Sequence, residues 1–155
     1  MSLEKFKNHF ILMAEAGFIA INQSDEDAAI KLFATAELLD PSNSLPRLGM
    51  GYLNLCQLKL KQAATTFEEI LAREPSNEMA KTLLGLTLSL NPTELAKGEK
   101  TLEDSIQKNQ DPMVKSLAKT ALDFVEKFIK KSPSPVETKS PKKLFMGCAS
   151  KAFSN

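Results

Sequence analysis

Five groups of residues in this 155-residue chain are of types that could do chemistry: His9, Cys56, Cys148, the acidic run 25–27, and the close glycines Gly49 and Gly51. None sits in a pattern that completes a reaction centre. His9 is the only histidine and has no His-Glu-x-x-His motif or nucleophile elbow around it, so a partly exposed structural role is expected. Cys56 and Cys148 lie far apart, in no zinc spacing, and read as free thiols of a reducing cytosol. No His or Lys adjoins Cys56 to lower its pKa, which predicts a packed or groove-lining thiol. Asp25, Glu26 and Asp27 lack the calcium-loop spacing. A helix amino-terminus, where the macrodipole favours acid, explains them better. A phosphate loop needs a preceding strand and either a third glycine or a Lys-Ser/Thr pair, and "GMG" has neither. The sequence therefore predicts no enzyme, no metal and no cofactor.

Composition narrows the class further. The chain is 43% hydrophobic and 25% charged, with a net charge of +1. Near-neutrality gives no reason to expect nucleic acid or a membrane surface. No apolar run approaches the ~18 residues of a membrane span, so no stable membrane insertion is expected. The amino end, "MSLEKFKNHFILMAEAG", reads as a helix start rather than a signal segment, because Glu15 interrupts its apolar run.

The elements that place these residues come from a repeat. Displaced by one period, "MAEAGFIAINQSDEDAAIKLFATAELLDPSN" meets "RLGMGYLNLCQLKLKQAATTFEEILAREPSN". Gly17 falls on Gly51, Ala29 on Ala63, Phe33 on Phe67 and Pro41 on Pro75; a further displacement reaches Gly85. A period of about 34 residues with these offsets resembles the tetratricopeptide repeat family. The resemblance implies an all-α fold: a TPR-like α-solenoid of three helix pairs (about 10–43, 44–77 and 78–111) plus a C-terminal capping helix (112–131). The domain expected is 1–131, followed by a disordered tail, 132–155.

The residues suit that fold. A mid-helix glycine costs ~1 kcal/mol against alanine, and is tolerated where a neighbouring helix comes close. Ala29 and Ala63 are small for the same reason, Phe33 and Phe67 fill the space between successive pairs, and Pro41 and Pro75 end the repeats. Ser24 with Asp27 reads as a capping box. The third repeat departs from register: Lys97 and Thr101 stand where Ala and Phe are expected, and Gly98, Leu102 and Ser105 restore the spacing one residue later. This predicts a longer turn over 89–93, with Thr93 or Asn91 as cap. Asp111-Pro112 should start a seventh helix, with its apolar face formed by Val114, Leu117, Ala118, Ala121, Leu122, Val125, Phe128 and Ile129. Beyond it, "SPSPVETKSPKK" is too polar to fold alone. Leu144, Phe145, Met146 and Phe153 leave two readings open: a frayed end, or a short docking or self-blocking motif.

In the family resembled, the first helix of each pair lines a concave groove. The resemblance places Ile11, Ala14, Phe18 and Ile21 there, then Leu45, Leu48, Tyr52 and Leu55, then Met79, Thr82, Leu86 and Ser89. Of these, Phe18, Ile21, Leu48, Tyr52, Leu55 and Leu86 are the expected partner-binding residues. The groove lacks the Lys, Asn and Arg with which one subgroup grips a terminal carboxylate. A small repeat protein with an apolar groove resembles the chaperones of bacterial type III secretion. That likeness implies a cytosolic protein holding an apolar segment of a secreted needle or translocator subunit, with room for a co-chaperone. The alternative is a general scaffold joining folded proteins, regulated through Ser132, Ser134 and Ser140.

Overall fold

Apolar residues at helical spacing, broken by short polar connectors, fold into α1 (Phe10–Asn22), α2 (Glu26–Leu39), α3 (Leu45–Cys56), α4 (Leu60–Arg73), α5 (Glu78–Ser89), α6 (Leu95–Lys108) and α7 (Pro112–Phe124). The computed structural model describes residue 6 and residues 8–131, and no strand occurs among them. The expectations for 132–155 lie outside the described residues.

The connectors show how the period is written into the backbone. At the end of α1, Asp25 N donates to Ala20 O and Ser24 N to Ile21 O. This pair of bonds closes a helix through a left-handed residue, and Ser24 supplies it with φ 62°. Leu58, at the equivalent position of the next repeat, closes α3 with φ 58°, its N–H donating to Leu55 O. Ser24 is thus committed to ending α1, which corrects its expected role as cap of α2. Asp25 takes that role, its Oδ1 accepting from Ala28 N at 3.0 Å. In the third repeat the connector lengthens, as expected, to residues 90–94 against 23–25 and 57–59. The expected cap there is also corrected: Asn91 Oδ1 accepts from Thr93 N and Oγ1 in a local turn, and Glu94 holds the cap position of α6 without a side-chain bond. Asp111 caps α7 as expected, accepting from Met113 N at 2.8 Å with Pro112 next in the chain.

The described residues form two compact units, divided between Leu58 and Lys59. In the first, α1 packs on α2 and both meet α3. Phe33, 1% exposed, is the centre of this unit. Its ring lies against Gly17 and Gly49: a Cβ on Gly17 would fall 2.7 Å from Phe33 Cε1, and one on Gly49 would overlap the ring edge outright. Gly49 is therefore a space for an aromatic ring. A second cluster, Phe10, Ala14, Ala36 and Leu39, receives Leu45 from α3.

In the second unit α5 is buried on nearly all sides, from Ala80 to Ser89, by α4, α6 and α7. Gly98 lets α6 cross α5 closely, since a Cβ there would collide with Ser89 N, Ser89 Oγ and Gly85 O. Leu102, Ala118 and Ala121 form the core between α6 and α7. The expected helix 112–131 is α-helical only to Phe124 and continues as a π-helical turn, Val125–Lys130. The wider winding breaks the 3.6-residue period, so Val125 stays buried while Phe128, expected on the apolar face, is 50% exposed. Lys130 Nζ ties this turn to Glu99 of α6.

Candidate partner-binding face

On the α1–α3 side of the first unit three aromatic rings meet. Phe18 sits edge-on to buried Phe33 at 5.1 Å between centroids and lies 6.4 Å from Tyr52. Phe18 and Tyr52 occupy the same offset in the first and second repeats, so equivalent positions hold the two half-buried rings. Each such ring pair adds about 0.5–1.5 kcal/mol beyond its buried area, and this holds the ledge in a fixed shape.

Tyr52 and Cys56 stand one turn apart on α3 and interact through a side-chain hydrogen bond. Burial pushes the Tyr52 phenol well above its ordinary range, and Cys56 adds to the shift through charge and the hydrogen bond. Burial likewise raises the Cys56 thiol, and the bond to Tyr52 only partly offsets it. Both groups are neutral at physiological pH. The pair offers an apolar surface with one weak polar handle, and no nucleophile.

The six expected binding residues divide. Phe18, Tyr52 and Leu86 are half-buried, whereas Ile21, Leu48 and Leu55 are 8%, 8% and 0% exposed. Ile21 belongs to the cluster around Phe33, so it supports the ledge from beneath. Leu86, in the second unit, packs against Leu102, Ala118 and Ala121, while its neighbours Thr82 and Ser89 are fully buried. Of the third-repeat positions, Thr82 and Ser89 are thus interior, while Leu86 stays partly exposed beside α6 and α7. Repeat spacing alone does not separate the two kinds.

The other chemistry-bearing residues fall apart from this face. His9 is exposed beside the Phe6 ring, 5.9 Å away. Asp25, Glu26 and Asp27 occupy the cap and first turn of α2. No group of three or more metal-capable side chains forms among the described residues, and no helix among them is long and apolar enough to cross a membrane. Comparison with protein-family models, with curated proteins and with solved structures gave no match.

Proposed function

We propose that this chain is a tetratricopeptide-repeat chaperone that holds an apolar segment of a secreted protein, as the type III secretion chaperones do for needle and translocator subunits, in a bacterial cytosol. The observation that carries the reading is the ledge formed by Phe18 and Tyr52. Two large rings at repeat-equivalent positions keep exposed surface, although the core beneath them is complete. Adjoining apolar surface of this kind supports the reading of a partner site. The solenoid reading draws support from Ser24 and Leu58, which take left-handed backbone at the same offset of successive repeats, and from the glycines that face Phe33. The neutral Tyr52–Cys56 pair fits an apolar client with one hydrogen-bonding group.

The test is co-purification of the client from the native host. Truncating a central anchor costs ~2 kcal/mol or more in binding, so Tyr52→Ala, checked for retained helicity, should lose most of the bound chain. Lys61→Ala, exposed on α4, should keep it. An apolar grip should also survive high salt. A folded Tyr52→Ala protein that retains its client at the wild-type level rules the ledge out.

A further inference from the structure

The outer side of α7 carries a further apolar surface. Met113 and Phe128 are 71% and 50% exposed, and Leu117 and Phe124 between them are half-buried. Spaced three or four residues apart, Met113, Leu117, Thr120, Phe124 and Phe128 share one side of the helix. The π-helical turn keeps the last of them in line, with the Phe128 ring 5.1 Å from that of Phe124. Val114, Ala118 and Ala121 supply the buried side of α7, so the stripe is not part of the core of its own unit. No charged residue stands within it.

The stripe has a symmetry that selects its occupant. Met113 and Phe128 lie equally far on either side of a point between Thr120 and Ala121, and so do Leu117 and Phe124. We propose that two copies of this chain pair through the stripe, with their α7 helices antiparallel about a two-fold axis through that point. Met113 of each copy then meets Phe128 of the other, as sulfur against ring, and Leu117 meets Phe124. A two-fold contact needs this self-complementarity, residue by residue. Thr120 takes the centre. Its hydroxyl already donates to Ser116 O at 2.9 Å, so burying it leaves no donor unpaired.

Charge fixes the direction of the pair. Lys119 and Asp123 are both exposed on one edge of the stripe, and their midpoint falls within half a residue of the same point. The two-fold axis therefore sets Lys119 of each copy opposite Asp123 of the other, giving two ion pairs. Lys127, farther along that edge, comes opposite Ser116. The remaining charges of 112–130, Lys115, Glu126 and Lys130, lie on other sides of the helix by spacing, and Lys130 is tied to Glu99. A parallel pair would instead set lysine on lysine and aspartate on aspartate. The contact lies wholly within the second unit and is independent of the Phe18–Tyr52 ledge, so either can fail alone.

The experiment is sedimentation equilibrium of the full chain in reducing buffer, from low to high micromolar concentration. A monomer–dimer equilibrium that stops at the dimer is expected. Phe128→Ser, at an exposed position, should weaken the dimer about thirtyfold with helicity unchanged. Lys119→Asp or Asp123→Lys alone should weaken it about tenfold, and the two together should restore it, because the swapped charges again face their opposites. A second arm places one cysteine at the axis, Thr120→Cys with Cys56→Ser and Cys148→Ser, under mild oxidation. A covalent dimer is expected, and none from Glu126→Cys in the same background. A chain that stays monomeric, or that grows beyond a dimer, overturns the proposal. So does a dimer that Phe128→Ser and the single charge changes leave at wild-type strength, or one that the double charge swap fails to restore.

Discussion

Gly49→Ala separates two physical effects that act in opposite directions. A glycine inside a helix costs ~1 kcal/mol relative to alanine, so propensity alone predicts that this substitution stabilises α3. The structure predicts the reverse. The new methyl would overlap Cε1 and Cζ of Phe33, and the ring cannot retreat, because Gly17 lies so close that its own Cβ would sit 2.7 Å away. Overpacking of this kind costs ~3 kcal/mol at its upper range, which leaves a net loss of about 2 kcal/mol after the propensity gain. Phe33→Leu removes all three colliding ring atoms, Cε1, Cε2 and Cζ. In that background Gly49→Ala should be stabilising by ~1 kcal/mol. The expected coupling is therefore about 3 kcal/mol, as for residues in direct contact. Urea unfolding followed by tyrosine fluorescence reads the first unit selectively, since Tyr52 is the only tyrosine and the chain has no tryptophan. If Gly49→Ala changes stability with the same sign in both backgrounds, the ring does not set the requirement for glycine.

Four further outcomes are expected. Gly98→Ala should destabilise by ~1–3 kcal/mol in thermal unfolding, because its methyl would meet the Ser89 and Gly85 backbone, which cannot rotate aside. Asp25→Ala should cost about 1 kcal/mol as the cap bond to Ala28 is lost, while Ser24→Gly should be neutral or stabilising, since glycine relieves the left-handed backbone; chemical denaturation of both variants checks this. Thr82→Val should stabilise by about 1 kcal/mol in the same assay, because Thr82 Oγ1 is buried without a hydrogen-bond partner. For Tyr52, the folded pKa lies above the ordinary 10.0. The stability from its burial is thus fully present below pH 10.0 and is lost as the pH rises beyond it, because the unfolded state ionises first. Absorbance titration should show phenolate appearing together with loss of helicity rather than before it.

The helices and much of their punctuation were legible in the sequence because they depend on local patterns. Asp111-Pro112 starts α7 where cap chemistry places it, and the displaced Gly98, Leu102 and Ser105 are buried in α6. What the sequence concealed depends on what a neighbour does with a residue. Ser24 has the chemistry of a helix start, yet it ends the helix before it, because a three-residue connector leaves one position for the left-handed turn. Gly49 looked unassigned beside Gly51 because its reason lies on α2, in Phe33. Phe128 followed a 3.6-residue period that the π-helical turn abandons after Phe124.

The same limit governs the binding residues. Phe18, Tyr52 and Leu86 are equivalent by spacing, but each is used according to what lies beside it. Phe18 and Tyr52 rest on each other and on a ring already seated between two glycines, so their outer surfaces remain available. Leu86 rests on Leu102, Ala118 and Ala121, side chains brought in by α6 and α7. The paired rings therefore lie on α1 and α3, with Phe18 edge-on to Phe33 beneath. On α5, the equivalent Leu86 is half-buried as well, but it lies against α6 and α7 rather than beside a second ring. On the proposed reading, truncation of Phe18 or Tyr52, rather than of the whole row of six, should release the client, and retention of the client by both folded variants refutes that reading.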